Sequence, residues 1–358
     1  MDEKVSANKL MADIIMIRRD SALKRNGMVD IYRLIFILLI MVNHLYISAP
    51  FATSWIYVEF FFILSGYYTM RHYVAREEGS LVESASEAIT YTLCKFKRIM
   101  PYVGIAVLLE YVCDYISVYM SIGFLGKRHL LFVIENMICE LTLLSSSGLV
   151  EANLAPIWYL SAMFLVFPLF TFMLSFRKMH KWYLGYLSWV LAALYYGYVG
   201  VICKRDWPHD LLRAFVCLWL GVFVYGISEL IKKHRSGKRF DIAVTLLEVG
   251  SFALTIACTG NNTGNNKLMV FAFIIGTCAL VSGCSYTSKL TVPRALGELS
   301  MVLFLMHWPV KTILSNVMGE AYLSGRGIAL YYVVSILFSV LLVLAGDKIR
   351  MRSDRTKD

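Results

Sequence analysis

The stretch DIYRLIFILLIMVNH, residues 30–44, sets Arg33 and His44 at the two ends of an apolar run with ten residues between them. Eleven helical steps of about 100° return to within about 20° of the start, so the two side chains share one face about 16 Å apart along the axis. An ionisable residue inside a membrane helix is costly and reads first as functional. Two on one stripe form a polar track into the bilayer.

The rest of the 358-residue chain fits that reading. It is 58% hydrophobic with a mean hydropathy of +0.62, more apolar surface than a soluble fold of this size hides. The apolar segments run to about 20 residues without alternation, which predicts spanning helices and excludes barrel strands. The expected fold is all-α, a polytopic membrane protein with ten spans at 31–49, 55–71, 100–120, 153–175, 182–203, 211–231, 241–258, 268–286, 298–317 and 328–346. A leader (1–30, with Arg18, Arg19, Lys24 and Arg25) and a tail (347–358) flank the membrane domain, 31–346. Most of the 35 Lys and Arg residues fall on the side of the termini, which places both in the cytoplasm. That placement also explains the net charge of +10 without nucleic acid as a partner. The eight cysteines show no CxxC spacing and lie in or beside apolar runs, so no metal site is expected.

Two segments between spans stand out. LLFVIENMICELTLL (130–144), with Glu135 and Glu140, is too short to cross comfortably and reads as an interfacial or re-entrant helix. The loop 72–98 ends in Lys95, Lys97 and Arg98 just before Pro101, a basic cluster suited to phosphate or to anionic lipid headgroups.

Chemistry must come from the spans and short loops. His44 lies seven residues before Phe51 and Glu59 eight after it, so an antiparallel hairpin sets them at similar depth. A carboxylate beside a histidine would fix its tautomer and raise its basicity, as a general base requires. A core histidine bonded to a backbone carbonyl is the bland alternative. The pair Ser65-Gly66, after three consecutive aromatics, would let another backbone or a narrow ligand chain approach closely. Glu110, Asp114, Glu248, His307 and Lys311 should face the bundle interior, as ion pairs or as the lining of a polar cavity.

Several of these pieces, in this order, resemble the membrane-bound acyltransferase 3 family: Asp30, Arg33 and His44 in D-x-x-R-x10-H; V-E-F-F-F-I-L-S-G-Y at 58–67; K-x-x-R-I-M-P at 95–101; W-Y-L-S at 158–161; G-V-F-V-Y-G at 221–226; and L-G-E-L-S-M-V-L-F-L-M-H-W-P-V at 296–310. The family's aspartate in the second piece is here Glu59, and its first arginine in the third is Lys95, which keeps the charge but loses the bidentate fork. The Gly-Glu-x-Ser element persists as Gly297, Glu298 and Ser300.

The resemblance implies an O-acyltransferase, by expectation an O-acetyltransferase. Its donor would be acyl-CoA, acetyl-CoA in particular, supplied from the cytoplasm, with no permanently bound cofactor. Its acceptor would be a hydroxyl of a surface glycan or lipid-linked molecule. On this reading His44, oriented by Glu59, is the base, and Arg33, Lys95 and Arg98 hold the donor phosphates. Asp30, Ser65, Gly66, Glu298, Ser300 and His307 are further site candidates. Membrane lipids complete the partners, in the cell membrane. A secondary exporter of a small metabolite or lipid-linked sugar, and a non-catalytic membrane sensor, remain the rival readings.

Overall fold

The computed structural model describes residues 26–45, 53–76, 79–123, 127–149, 153–194, 209–261 and 266–355. Most of the leader (1–25), positions 46–49 of the first expected span, 195–203 of the fifth and the tail's 356–358 lie outside the described residues. Among the described residues there is no strand.

The helices are α1 (Gly27–Leu45), α2 (Ile56–Val74), α3 (Leu81–Lys97), α4 (Met100–Ile122), α5 (Lys127–Leu141), α6 (Ile157–Leu174), α7 (180–194, π-helical over Tyr183–Leu187), α8 (His209–Lys233), α9 (Lys238–Asn261), α10 (Asn266–Ser282), α11 (Arg294–Met318) and α12 (Gly325–Arg355). The chain is therefore an all-α polytopic membrane protein, with seven described helices long and apolar enough to cross a bilayer: α1, α4, α6, α8, α9, α11 and α12. In α10 the apolar stretch is shorter, Leu268–Ser282. Glu59, Arg71 and His72 lower the hydropathy of α2, yet most of its residues are buried, because it faces protein on nearly every side rather than lipid. At the end of the chain α12 continues unbroken past position 346, so the expected tail begins as helix.

Local chemistry sets the helix starts. Asn26 caps α1, its Oδ1 accepting from the Met28 N–H at 3.1 Å. The same side chain donates through Nδ2 to the Leu280 carbonyl at 2.8 Å, and Gly27 N–H donates to Leu290 O at 3.1 Å. Together they moor α1 to the last turn of α10 and the segment that follows it. At α3, Ser80 and Glu83 form a reciprocal capping box. Its buried face (Ser84, Ala88, Thr92, Phe96) packs on α6, while Val82, Ile89 and Leu93 on the other face stay exposed. As expected, α5 is a short helix of 15 residues.

The centre of the bundle is the contact of α2 with α8. A Cβ added to Gly66 would lie 2.0 Å from Leu218 O, and one added to Gly221 would lie 2.3 Å from Ile63 O. The two backbones touch, which only glycine permits. Gly66 therefore serves backbone packing; the close approach read from Ser65-Gly66 is made by a helix.

Candidate functional site

Arg33 and His44 sit on one uninterrupted helix, as their spacing requires. His44 is half-buried near the C-terminal end of α1 and meets α11 there. Its Nδ1 lies 2.9 Å from Nε2 of His307, with the rings stacked at 5.0 Å between centroids. His307 is fully buried, and its Nδ1 lies 3.2 Å from the Leu303 carbonyl one turn back. A carbonyl only accepts, so His307 Nδ1 carries a proton and its Nε2 offers a lone pair. Nδ1–H of His44 donates to that lone pair, which leaves His44 Nε2 unprotonated and available as a base. The edge-to-face indole of Trp308, 5.2 Å from His44 between centroids, braces the ring.

This corrects the expected partner of His44. Glu59 is fully buried and accepts from Arg213 Nε of α8 at 3.3 Å, while Arg213 Nη2 donates to Trp55 O at 2.7 Å. The guanidinium lies 5.2 Å from the Trp55 ring centroid and 5.1 Å from that of Trp158. The reason is stagger. Phe36, two turns before His44, stacks on Tyr57 and meets Phe60 edge-on, so the start of α2 is level with the middle of α1. Counting symmetrically from Phe51 assumes an even hairpin, which the helices do not form. Sequence reasoning included His307 among the candidates but missed its pairing with His44, and missed Arg213 as the partner of Glu59. The run His-Trp-Pro was the available signal for the first. The second pairs residues 154 positions apart, which no local pattern reveals.

At the other end of α1, Arg33 pairs with Asp30 at 3.5 Å and keeps about a quarter of its side chain exposed. Lys95 of α3 stands over the Phe167 ring at 4.1 Å. Burial first, and the charge of Arg33 second, push the Lys95 ammonium down to about 7. The helices thus bring Arg33 and Lys95 together. Tyr159 joins them, its hydroxyl near both Arg33 and Ser65. Arg98 lies at the C-cap of α3, and its guanidinium is ion-paired with Glu298 in the first turns of α11.

Other candidates have local duties. Ser300 Oγ donates to Gly297 O at 2.9 Å within α11. Within W-Y-L-S, Ser161 Oγ accepts from Ser146 N–H at 2.8 Å and donates to Leu143 O at 2.8 Å, stapling the turn before α6. Glu140 of α5 accepts from the N–H groups of Asn153 at 2.5 Å and Leu154 at 3.1 Å, and burial raises its pKa. Glu248 accepts from Thr287 Oγ1 at 2.8 Å and holds the turn after α10. Among the described residues no His, Cys, Asp and Glu cluster could hold a metal ion.

The arrangement is a histidine pair at one end of α1 and cations at the other, with the apolar side chains of residues 34–42 between them. No curated protein and no solved structure matches the chain. A family model described as an acyltransferase domain matches residues 26–345, which takes in the histidine pair, the cations and every helix from α1 to most of α12. The chain is a membrane acyltransferase of the acyltransferase 3 family.

Proposed function

We propose that this acyltransferase is an O-acetyltransferase that takes its acyl group from acetyl-CoA at the Arg33 end and passes it to a hydroxyl at the His44 end. The observation that carries the reading is the contact of two histidines: His44 Nδ1 lies 2.9 Å from His307 Nε2, which supports a role for the other ring nitrogen of His44, Nε2, toward an acceptor hydroxyl. His44 Nε2 takes the hydroxyl proton as the acceptor oxygen attacks the thioester carbonyl carbon. The C–S bond then breaks, and the thiolate takes the proton back from His44. Arg33 and Lys95 hold donor phosphates, with Arg98 at the rim, and an extended pantetheine arm spans roughly the 16 Å between Arg33 and His44.

The charge-derived orientation puts the donor end in the cytoplasm and the His44 end outside, in the cell membrane. The acceptor on this reading is a glycan or lipid-linked hydroxyl presented at the outer face. The test is sided transfer. In proteoliposomes of known orientation, acetyl-CoA supplied only on the side of the termini should acetylate a lipid-linked sugar supplied only on the other. Product formed only when both are on the terminus side makes the enzyme cytoplasm-facing. Movement of the sugar without thioester cleavage makes it an exporter.

A further inference from the structure

We propose that Lys311 is a catalytic residue that supplies the oxyanion-stabilising group of the acyl transfer. The inference rests on the acyl-transfer reading above and adds to it the group that answers the charge on the carbonyl oxygen. Arg33, Arg213 and Lys311 are the three cations that the sequence places inside spans. Arg33 is paired with Asp30, and Arg213 is spent on Glu59 and the Trp55 carbonyl. Lys311 makes no hydrogen bond or ion pair with any described residue, and it stays partly exposed. All three of its N–H donors are therefore unspent with respect to described residues.

Its position matches the need. Lys311 lies one helical turn beyond His307 on α11. Its Nζ sits 4.2 Å from the centroid of the Trp308 indole, the same indole against which His44 packs. Glu110 of α4, whose Oε1 accepts from Thr312 Oγ1 at 2.9 Å, attracts the ammonium without an ion pair to it. The described backbone N–H groups at this level of α1 and α11 are consumed within their helices, which leaves the Lys311 side chain to do the work of an oxyanion hole.

As the acceptor oxygen bonds to the thioester carbon, the carbonyl π pair moves onto oxygen, and a Lys311 N–H donates to that oxygen. When the C–S bond breaks, the pair returns to the carbonyl and Lys311 keeps its proton. The proton of the hydroxyl travels only by way of His44.

The experiment compares wild type, Lys311→Met and Lys311→Arg in detergent, with octyl glucoside as hydroxyl acceptor and thiol release as readout. Two donors are used, acetyl-CoA and fluoroacetyl-CoA, since fluorine itself stabilises the oxyanion. With acetyl-CoA, Lys311→Met should lower kcat about 100- to 1,000-fold at nearly unchanged donor KM, and Lys311→Arg should recover part of the loss. With fluoroacetyl-CoA the loss should be clearly smaller. An equal loss on both donors, a loss confined to KM, or wild-type rates in Lys311→Met overturns the proposal. Retained fluoroacetyl turnover shows that the variant is folded. A wild-type protein that releases thiol from neither donor overturns the acyl-transfer reading itself.

Discussion

Arg213 of α8 and Glu59 of α2 form a buried ion pair one end of which is clasped between two indoles. The pair sits seven residues from Gly66 on one helix and eight from Gly221 on the other, so both contacts belong to the same parallel seam. Removing one partner leaves a buried charge uncompensated, which costs about 3–5 kcal/mol. Glu59→Ala and Arg213→Ala should each lower the melting temperature in detergent markedly, and Glu59→Leu combined with Arg213→Met should recover much of it. If Glu59→Ala melts like wild type yet loses only catalysis, the acid acts on chemistry rather than on the seam.

The His44–His307 hydrogen bond separates two kinds of substitution. His44→Ala should abolish acyl transfer with folding intact, as removal of a general base typically loses about 100- to 10,000-fold in rate. His307→Gln keeps an acceptor for His44 Nδ1–H and should retain more activity than His307→Leu, which leaves that proton without one. Equal rates in the two His307 variants would show that the pairing does not set the tautomer of His44.

On the proposed reading, Lys95 gives the donor site a pH dependence. Its ammonium is pushed down to about 7 by burial and by Arg33, so the charge is present below pH 7 and lost as pH rises through it. The KM for acetyl-CoA should accordingly rise between pH 6 and pH 8. Lys95→Arg, which stays charged throughout, should flatten that rise and hold the donor at least as tightly at pH 8. A KM that is independent of pH in wild type would remove Lys95 from the phosphates.

Arg98 shares its charge with Glu298, with which it is ion-paired, while most of its side chain stays exposed. Arg98→Ala should weaken acetyl-CoA binding through loss of a charge-assisted bond worth about 1.5–3 kcal/mol. Glu298→Gln, which releases the guanidinium, should tighten it. Donor affinity that is unchanged in Arg98→Ala, measured by titration calorimetry, assigns the basic rim to lipid headgroups.

The glycine seam predicts a contrast within one residue type. Gly66→Ala and Gly221→Ala drive a methyl into a facing carbonyl and should destabilise by about 1–3 kcal/mol or more. Gly250→Ala on α9, where a Cβ meets nothing within 4 Å, should be neutral or stabilise by up to about 1 kcal/mol. Thermal melts of the three variants separate the positions.

Much of this was legible before any coordinates. Apolar run lengths located the long helices but not α3, which the sequence reads as part of a loop, and an eleven-step count put Arg33 and His44 on one stripe, because that follows from the geometry of a single helix. The family resemblance rested on pieces that each lie within one helix or its cap. What escaped was relational. Whether Glu59 meets His44 depends on the stagger and rotation of α2 against α1, set by ring contacts such as Phe36 with Tyr57. With several acids and bases in the spans, one sequence allows many pairings; the partners Arg213, Glu298 and His307 are fixed only when the bundle is assembled.

From residue 34 to residue 43 α1 contains neither proline nor glycine, and its N-terminal end is moored through Asn26 and Gly27. On the proposed reading, anchor and base therefore travel as one rigid rod, and their separation does not adapt to the substrate. Such a rod is a gauge of donor length: a thioester carried on a truncated arm, as in acetyl-N-acetylcysteamine, cannot bind its anchor and present its carbonyl at once, however reactive it is.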